Sequence, residues 1–573
     1  MNSKKNVIFI VVDSLFLKRI GLYGNNPSPS PFIDNLFSNN MSFSNVFSVG
    51  CPTEFAYPGL TTSTLPLDKG GYARGISDRE ITIAELLKQN GYKTGVFFED
   101  HFRSNASYSR GFDDVFYLFD FSRFLDDVGD TIPYYLKMFE KGLKSKQECI
   151  NSFVEYLNIF FKDVLDYCDF MIESIRKNFL LPSLLLHSYN FNEIKQLVVS
   201  AKKEFELNPY QYSSDLISGK ENIFNKINKI VENRNRNLIY KGNKYLRILL
   251  TKLNLVLICK WLFKSSKTRP SFKNMIYNFI YGQKKSRFVS AGYIVDVFLN
   301  WVDGLSKQKP FFAWIHTADI HELNLSSSDL ENNENQLKEE ALIINNFSKE
   351  ILKKGKDYNG NILYDLSLRY TDLQIERLFG SLSKRNLLDN SLIVFTADHG
   401  HPSVEFPYRK DINMARDFYD ELYHIPLAFI NKDIFPKKME GLYSSLDTLT
   451  MLLKQLDINP PKAFKGITFD SNSDLGRNYV IMEHLGPGPC DFKSKPIKIC
   501  VRSNNYKIVF EDMISNKNNS GNIIEIYNLN EDPLEKKNIY KLNQKNKELM
   551  GLIYAAKKRF QEIKSDNKIY NPN

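Results

Sequence analysis

Two acids and a histidine stand where apolar runs end. The run Asn6-Val-Ile-Phe-Ile-Val-Val12 stops at Asp13-Ser14, and the run Ser391-Leu-Ile-Val-Phe-Thr396 leads through Ala397 to Asp398-His399-Gly400. In open α/β sheets the carboxyl ends of the strands form the ligand crevice, so side chains there are placed to meet a substrate. Oxygen and imidazole donors from such positions suit Zn, Mn, Mg or Ca to differing degrees. Taken singly, Asp13 would serve as well for a helix N-cap, and Asp-His-Gly for a solvated turn. A third segment, Val49-Gly-Cys-Pro-Thr-Glu-Phe-Ala-Tyr-Pro-Gly-Leu-Thr-Thr-Ser-Thr-Leu-Pro66, is rich in hydroxyls and turn residues. A hydroxyl is a weak nucleophile until a metal or a base activates it, and most Ser/Thr-rich stretches are turns. Of the eight histidines only His187 falls inside the Lys-rich middle of the chain; His101, His316, His321, His399, His401, His424 and His484 lie mostly near expected strand ends or loops. Several of them gathered at one sheet edge would suit an oxyanion or a metal.

The elements that must position these residues alternate along the chain. Asn6–Val12 reads as a buried strand, Phe32–Ser38 as a short helix after Pro31, Ile81–Asn90 as a helix ended by Gly91, and Thr94–Phe98 as a strand. Such alternation predicts a parallel sheet with helices on its faces. From about 119 the character changes to long apolar-periodic and Lys-rich segments such as Asp163–Phe179 and Glu221–Val231, which read as a helical insertion over 119–288. The α/β pattern resumes with Val289–Trp301 (helix), Pro310–His316 (strand), Leu366–Leu382 (helix), Ser391–Thr396 and Glu421–Ile430 (strands) and Asp447–Leu456 (helix). After about 471 come short strand-like runs, Tyr479–Met482, Ile497–Arg502, Lys507–Phe510 and Ile523–Tyr527, and a final helix, Lys545–Lys564. The expected division is a catalytic domain in two parts, 1–118 and 289–470, interrupted by the insertion and followed by a C-terminal subdomain at 471–573.

Composition narrows the function. The chain has 573 residues, 43% of them hydrophobic and 25% charged, enough for a large core. A net charge of +10 suits anionic substrates or surfaces, and no zinc-finger or RNA-binding signature accompanies it, so nucleic acid is not the expected partner. The six cysteines form no C-x-x-C pair, which favours a reducing compartment. The seven-residue apolar run behind Lys4-Lys5 ends at Asp13 without a small-residue cleavage site, so a first strand, not a signal peptide, is expected, and with it a cytoplasmic protein. Leu246–Phe263 carries Arg247, Lys252, Asn254 and Lys260 and reads as an amphipathic helix, buried or lying on a membrane surface.

In order, these segments resemble the sulfatase family of the alkaline phosphatase superfamily. Asn6–Asp13 is similar to its first strand and first metal-binding acid. Tyr23-Gly24 with Ser30–Leu36 resembles "YG…TPNIDRLA", and Leu60–Pro66 resembles the "LLTGxxP" that follows the nucleophile. Gly91–Thr94 and Gly111–Asp113 match "GYxT" and "GFD". Phe311–His316 with Asp319-Ile-His321 resembles "PFFxxxHxxxPH", and Tyr370-Thr-Asp372 leads to Asp398-His-Gly400. Glu421–Leu427 resembles "EExxxVPL", and Glu525–Pro533 with Glu535 and Asn538 resembles "ELYDLxxDPxExxN". The resemblance implies an alkaline-phosphatase-like α/β fold: a mostly parallel sheet with helices on both faces, a large helical insertion and a small C-terminal antiparallel sheet.

The departures shape the expected chemistry. Sulfatases carry Cys-x-Pro-Ser-Arg, whose cysteine becomes formylglycine, whereas Cys51 is followed by Pro-Thr-Glu-Phe. Counted back from Thr62-Ser63, the nucleophile position falls on Thr53. Threonine nucleophiles belong to the phosphoglycerol and phosphoethanolamine transferases of the superfamily, and their metal set maps to Asp13, Thr53, Asp398 and His399. The family's second acid is Ser14 here, and its "GKWH" stands as Phe98-Glu-Asp-His101, with Glu99 at the lysine. The resemblance therefore implies a divalent ion (Ca, Mg, Mn or Zn), attack by Thr53 on sulfur or phosphorus, His321 and His101 on the non-bridging oxygens, and His316 or His424 near the leaving group. Three functions stay open: hydrolysis of a sulfate or phosphate ester, phosphotransfer to a glycan or lipid, and an inactive binding protein. The insertion could serve as lid, dimer surface or membrane contact.

Overall fold

The computed structural model describes residues 4–98 except 73–74, 108–176 with gaps within 120–144, 190–218, 289–321 except 307–308, 334–402 with gaps within 356–359, 412–468, and 476–570 with short gaps. His101, Glu221–Val231 and Leu246–Phe263 lie outside the described residues. The chain forms two compact units, one of residues 1–117, 291–323 and 333–573, the other of 118–290 with 324–332.

In the first unit the chain runs β1 (Asn6–Val12), α1 (Pro31–Asn39), β2 (Met41–Phe47), α2 (Thr53–Thr62), α3 (Ile83–Gln89), β3 (Lys93–Phe98) and β4 (Asp114–Tyr117). The second unit, described by itself, carries α4 (Lys146–Arg176), α5 (Phe191–Leu207) and α6 (Pro209–Ile217). The first unit then resumes with α7 (Ala291–Asp303), β5 (Phe311–Thr317), α8 (Ile362–Lys384), β6 (Ser391–Thr396), β7 (His424–Ile430), β8 (Lys437–Met439), β9 (Tyr443–Ser444) and α9 (Ser445–Gln455). It closes with β10 (Val480–His484), β11 (Ile497–Arg502), β12 (Tyr506–Asp512), β13 (Asn522–Asn528) and α10 (Lys547–Tyr570).

The large sheet has nine strands in the order β4-β3-β5-β1-β6-β7-β2-β8, with β9 also paired to β2. From β4 to β6 neighbouring strands are parallel, and β7 is antiparallel to β6 and to β2. The central strands are apolar along both faces, as parallel strands covered on two sides must be. All seven residues of β1 are buried, and so are all six of β6. Phe9 stacks on Trp314 with ring centroids 4.5 Å apart, tying β1 to β5. β10 to β13 make a separate antiparallel sheet of four strands, with α10 packing its Leu549, Leu552, Ala556 and Phe560 into the same core as Ile499 and Ile508.

The hydroxyl-rich segment, whose composition favours a turn, is instead largely the helix α2. Eight of its ten residues are buried, Phe55 to Thr62, despite Pro58 in its interior. Burial on all sides outweighs poor intrinsic propensity. Thr61 and Thr62 turn their hydroxyls onto the Tyr57 and Pro58 carbonyls one turn back, so these polar groups are satisfied within the helix. In the second unit, α4 is one helix of 31 residues, longer than the Asp163–Phe179 segment expected. Phe153, Leu157, Phe160, Val164, Tyr167 and Met171 repeat along its buried stripe, and the Tyr167 hydroxyl donates to the Phe119 carbonyl at 2.8 Å. Among the described residues no helix is long and apolar enough to cross a membrane.

Candidate active site

The register of three parallel strands gathers the candidate residues. Val11 is opposite His316 on one side and Thr396 on the other, so the ends of β5, β1 and β6 lie at one edge. Asp13 continues this pairing by donating its N–H to the Thr317 carbonyl at 2.8 Å. One residue on, Ser14 takes a left-handed conformation with φ +63°, costly for a non-glycine residue and found chiefly where function holds it. The turn aims the Ser14 N–H at Asp398 Oδ1 (3.2 Å) and its hydroxyl at Asp13 Oδ1 (2.8 Å). Tyr364 on α8 pins it, donating to the Ser14 carbonyl at 2.9 Å and accepting from the Phe16 N–H at 3.0 Å.

His399 Nε2 lies 3.6 Å from Asp13 Oδ1, 3.5 Å from Asp398 Oδ2 and 3.1 Å from Thr53 Oγ1. Its other ring nitrogen, Nδ1, is 2.7 Å from the Gly400 carbonyl. A carbonyl only accepts, so Nδ1 carries a proton, and Nε2 is the nitrogen left to meet the carboxylates. Burial by itself would depress this histidine, but the carboxylates of Asp398 and Asp13 overcome it and raise its pKa well above the ordinary value. Positive charge at Nε2 is thus strongly favoured. Thr53 stands at the first position of α2, where the helix's unpaired N–H groups also favour an anion.

His316 approaches from the other side, with Nε2 3.9 Å from Asp13 Oδ2 and Nδ1 3.1 Å from the Tyr57 hydroxyl. Burial pushes it down to about 4 against the pull of Asp398, so the imidazole is neutral at pH 7, the form that ligates a metal. Asp13, His316 and Asp398 each present a donor atom within 4.8 Å of the others. Asp398 Oδ2 is buried without a hydrogen-bond donor among the described residues. Two buried carboxylates facing imidazoles, with no lysine or arginine paired to either among the described residues, leave negative charge that a divalent cation would neutralise. The donor set fits such an ion.

His321 joins the site at longer range, its ring centroid 6.4 Å from those of His399 and His401. His424 is placed elsewhere: its Nε2 donates to the Ser44 carbonyl at 2.9 Å and its ring stacks on Phe47 at 4.7 Å. Cys51 is fully buried in an apolar cluster with Phe47, Leu422, Tyr423 and Cys500, and burial raises its thiol pKa although His399 pulls the other way. A buried protonated thiol is a poor nucleophile. Sequence reasoning did not single out Tyr57, Ser14 as a hydrogen-bond donor, or Tyr364, and it gave His316 no place beside the two acids. No spacing signal marks a lone tyrosine; only the fold brings it to the site.

The sequence pattern described as Sulfatase matches residues 5–166 and 212–458, well over half of the chain. This protein belongs to the sulfatase family. Among curated relatives, the N-acetylgalactosamine-6-O-sulfatase of Bacteroides thetaiotaomicron is 31% identical over 107 residues, 18% of this chain and 21% of that protein. The chain thus matches only about a fifth of the length of such relatives. Among solved structures, the phosphonate monoester hydrolase of Agrobacterium radiobacter is similar in fold with a TM-score of 0.52, 13% identity and 98% of this chain and 96% of that one covered. A protein solved with its substrate D-glucosamine-2-N,6-O-disulfate is similar with a TM-score of 0.51, 14% identity and 100% of both chains covered. These likenesses fix the fold as alkaline-phosphatase-like, a mostly parallel sheet with a separate antiparallel one. The sulfatase family's Cys-x-Pro-Ser-Arg signature is missing here, and Thr53 stands beside His399.

Proposed function

We propose that this protein cleaves an anionic ester of sulfate or phosphate with the Thr53 hydroxyl as nucleophile. The observation that carries this reading is the 3.1 Å approach of a partly exposed Thr53 Oγ1 to His399 Nε2, whereas the Cys51 thiol is fully buried. Asp13, His316, Asp398 and His399 would hold a divalent cation, whose bound form supplies Lewis acidity to the ester's oxygen and to a neighbouring hydroxyl. Thr53 Oγ1 forms a bond to sulfur or phosphorus, and the bond to the leaving oxygen breaks. The threonine proton ends on the leaving oxygen, which departs as the alcohol. Water then attacks the same centre, the bond to Oγ1 breaks, sulfate or phosphate departs and Thr53 regains its proton. His321 would meet the non-bridging oxygens of the oxyanion that develops.

Relatives named for sulfated amino sugars and a net charge of +10 support an anionic glycan ester as substrate class. A second reading, transfer to an acceptor hydroxyl on a glycan or lipid, is favoured by the threonine itself, since the same intermediate can be resolved by an alcohol in place of water. The test is turnover of an aryl sulfate and an aryl phosphodiester side by side, with Mn, Mg, Ca or Zn added in turn. Activity lost in Thr53→Ala and kept in Cys51→Ala supports the proposal. The reverse pattern restores Cys51 and overturns it. Added glycerol that diverts product from hydrolysis to glycerol ester selects the second reading.

A further inference from the structure

We propose that Tyr57 is a positioning residue for the metal site, holding His316 in the tautomer that points a lone pair at Asp13 and Asp398. The inference rests on the metal-dependent reading above, but its test needs no substrate. Tyr57 lies one turn after Thr53 on α2, so a single helix carries both the nucleophile and the group behind His316. Its hydroxyl is 3.1 Å from His316 Nδ1. His316 Nε2 faces Asp13 Oδ2 across 3.9 Å. Imidazole can give a cation only the lone pair of an unprotonated nitrogen, so Nε2 can ligate only if Nδ1 keeps the proton and donates it to the Tyr57 oxygen.

The same logic is visible on the other histidine. His399 turns Nδ1 to the Gly400 carbonyl at 2.7 Å and Nε2 to the two carboxylates. The two imidazoles thus meet the acids alike, one oriented by backbone and the other by a side chain. The Tyr57 ring is itself fixed, with its centroid 4.5 Å from that of Tyr108 and 5.7 Å from that of Trp314. Trp314 sits two residues before His316 on β5, and the Tyr108 hydroxyl donates to the Glu54 carbonyl at 3.1 Å in the first turn of α2. Aromatic packing therefore sets the phenol oxygen where it is, and removing that oxygen leaves the packing in place.

The experiment is calorimetric titration of the metal-free full chain with Mn²⁺ alone, on the wild type, Tyr57→Phe, His316→Gln and the double variant. Loss of an outer hydrogen bond to a ligating histidine weakens metal binding about 10–100-fold, and that loss is expected for Tyr57→Phe. In the His316→Gln background the Tyr57 substitution is expected to cause no further loss. Raising Mn²⁺ is expected to return the kcat of Tyr57→Phe toward wild type, a recovery that a merely structural role would not give. Affinity within twofold of wild type in Tyr57→Phe overturns the inference. So does an equal loss in the presence and absence of His316. Should Tyr57→Phe fail to fold, His316→Gln decides: unchanged Mn²⁺ affinity means that there is no ligand for Tyr57 to position. Mn²⁺ binding that behaves as expected in a protein turning over neither ester would sink the hydrolase reading and leave this inference standing.

Discussion

Two of the buried carboxylate clusters in the first unit are finished in opposite ways. Around Arg559 every charge is answered. Its guanidinium gives Nε and Nη2 to the two oxygens of Glu483 at 2.8 Å and Nη2 also to Asp68 at 2.8 Å. Lys465 reaches Asp68 at 2.7 Å, while the Leu65 and Leu67 N–H groups donate to Asp68 and Glu483. Burial would raise the Asp68 carboxyl, but Arg559, Lys465 and Arg79 hold it well below the usual range. At the ends of β1 and β6, by contrast, Asp13 and Asp398 face imidazoles with no lysine or arginine paired to either among the described residues, and Asp398 Oδ2 has no hydrogen-bond donor there. The first cluster is complete within the chain and holds the small sheet's edge to α10. The second is left short of positive charge, the condition that binds a cation and that a stable core would avoid.

The hardest test of the contrast is to remove one member of each. Thr53→Ala is expected to lower kcat/KM by about 10³-fold or more, as loss of a nucleophile does, with thermal stability unchanged. Arg559→Met should do the reverse. It strands Glu483 and Asp68 in a site where Arg559 is 2% exposed, at a cost of about 3–5 kcal/mol. Urea unfolding would read this loss, while kcat per folded molecule stays near wild type. If Thr53→Ala unfolds the protein, or Arg559→Met leaves the urea midpoint unmoved, the division between a working and a bracing cluster is wrong.

Acid sharpens the division further. Asp68 has a depressed folded pKa, so its stabilisation is present above the unfolded carboxylate value and is lost only as pH falls through the folded one. His424 and His484, buried outside the site, are lowered by burial to about 4 and about 3. A histidine depressed in this way binds its proton more readily unfolded than folded. Stability therefore holds above about pH 6.5 and falls as pH drops toward 4, by on the order of 3 kcal/mol for His424 alone. Denaturation midpoints measured from pH 7 to pH 4 should decline in that window, ahead of any loss from the Arg559 cluster. A midpoint that is flat down to pH 4 would contradict the neutral burial of these histidines.

Much of the fold was legible because buried parallel strands write themselves as unbroken apolar runs. Asn6–Val12 and Ser391–Thr396 coincide with β1 and β6 to the residue, and the acids that follow them meet because the register leaves them no other place. The four C-terminal strands and the last helix were legible for the same reason of period and punctuation. α2 was not. Its Pro58, Gly59 and three threonines argue for a turn, and only tertiary burial makes it a helix. The link from Tyr57 to His316 spans 259 residues and leaves no local trace. Nor could sequence separate His424 from the other histidines: its ring belongs to a stack on Phe47, and that depends on the bulged pairing of β2 with β7.

The smallest expected effect tests the open cluster most directly. Asp398 Oδ1 accepts the Ser14 N–H at 3.2 Å and the His399 N–H at 2.7 Å, and an amide oxygen could accept both. Asp398→Asn therefore keeps the local hydrogen bonds and removes one buried negative charge. In the metal-free protein this relieves repulsion against Asp13 but also loses the attraction of Asp398 for His399, and the melting temperature should change by no more than about 1–2 °C. Divalent ion stabilises the wild type by mass action, roughly 2.7 kcal/mol at a hundredfold excess over Kd. In Asp398→Asn that gain should vanish. Melting curves with and without Mn²⁺ give both numbers in one experiment. A variant markedly less stable than wild type without metal would mean that Asp398 braces the strand end as Asp68 braces α10, and the two clusters would then differ in degree rather than in kind.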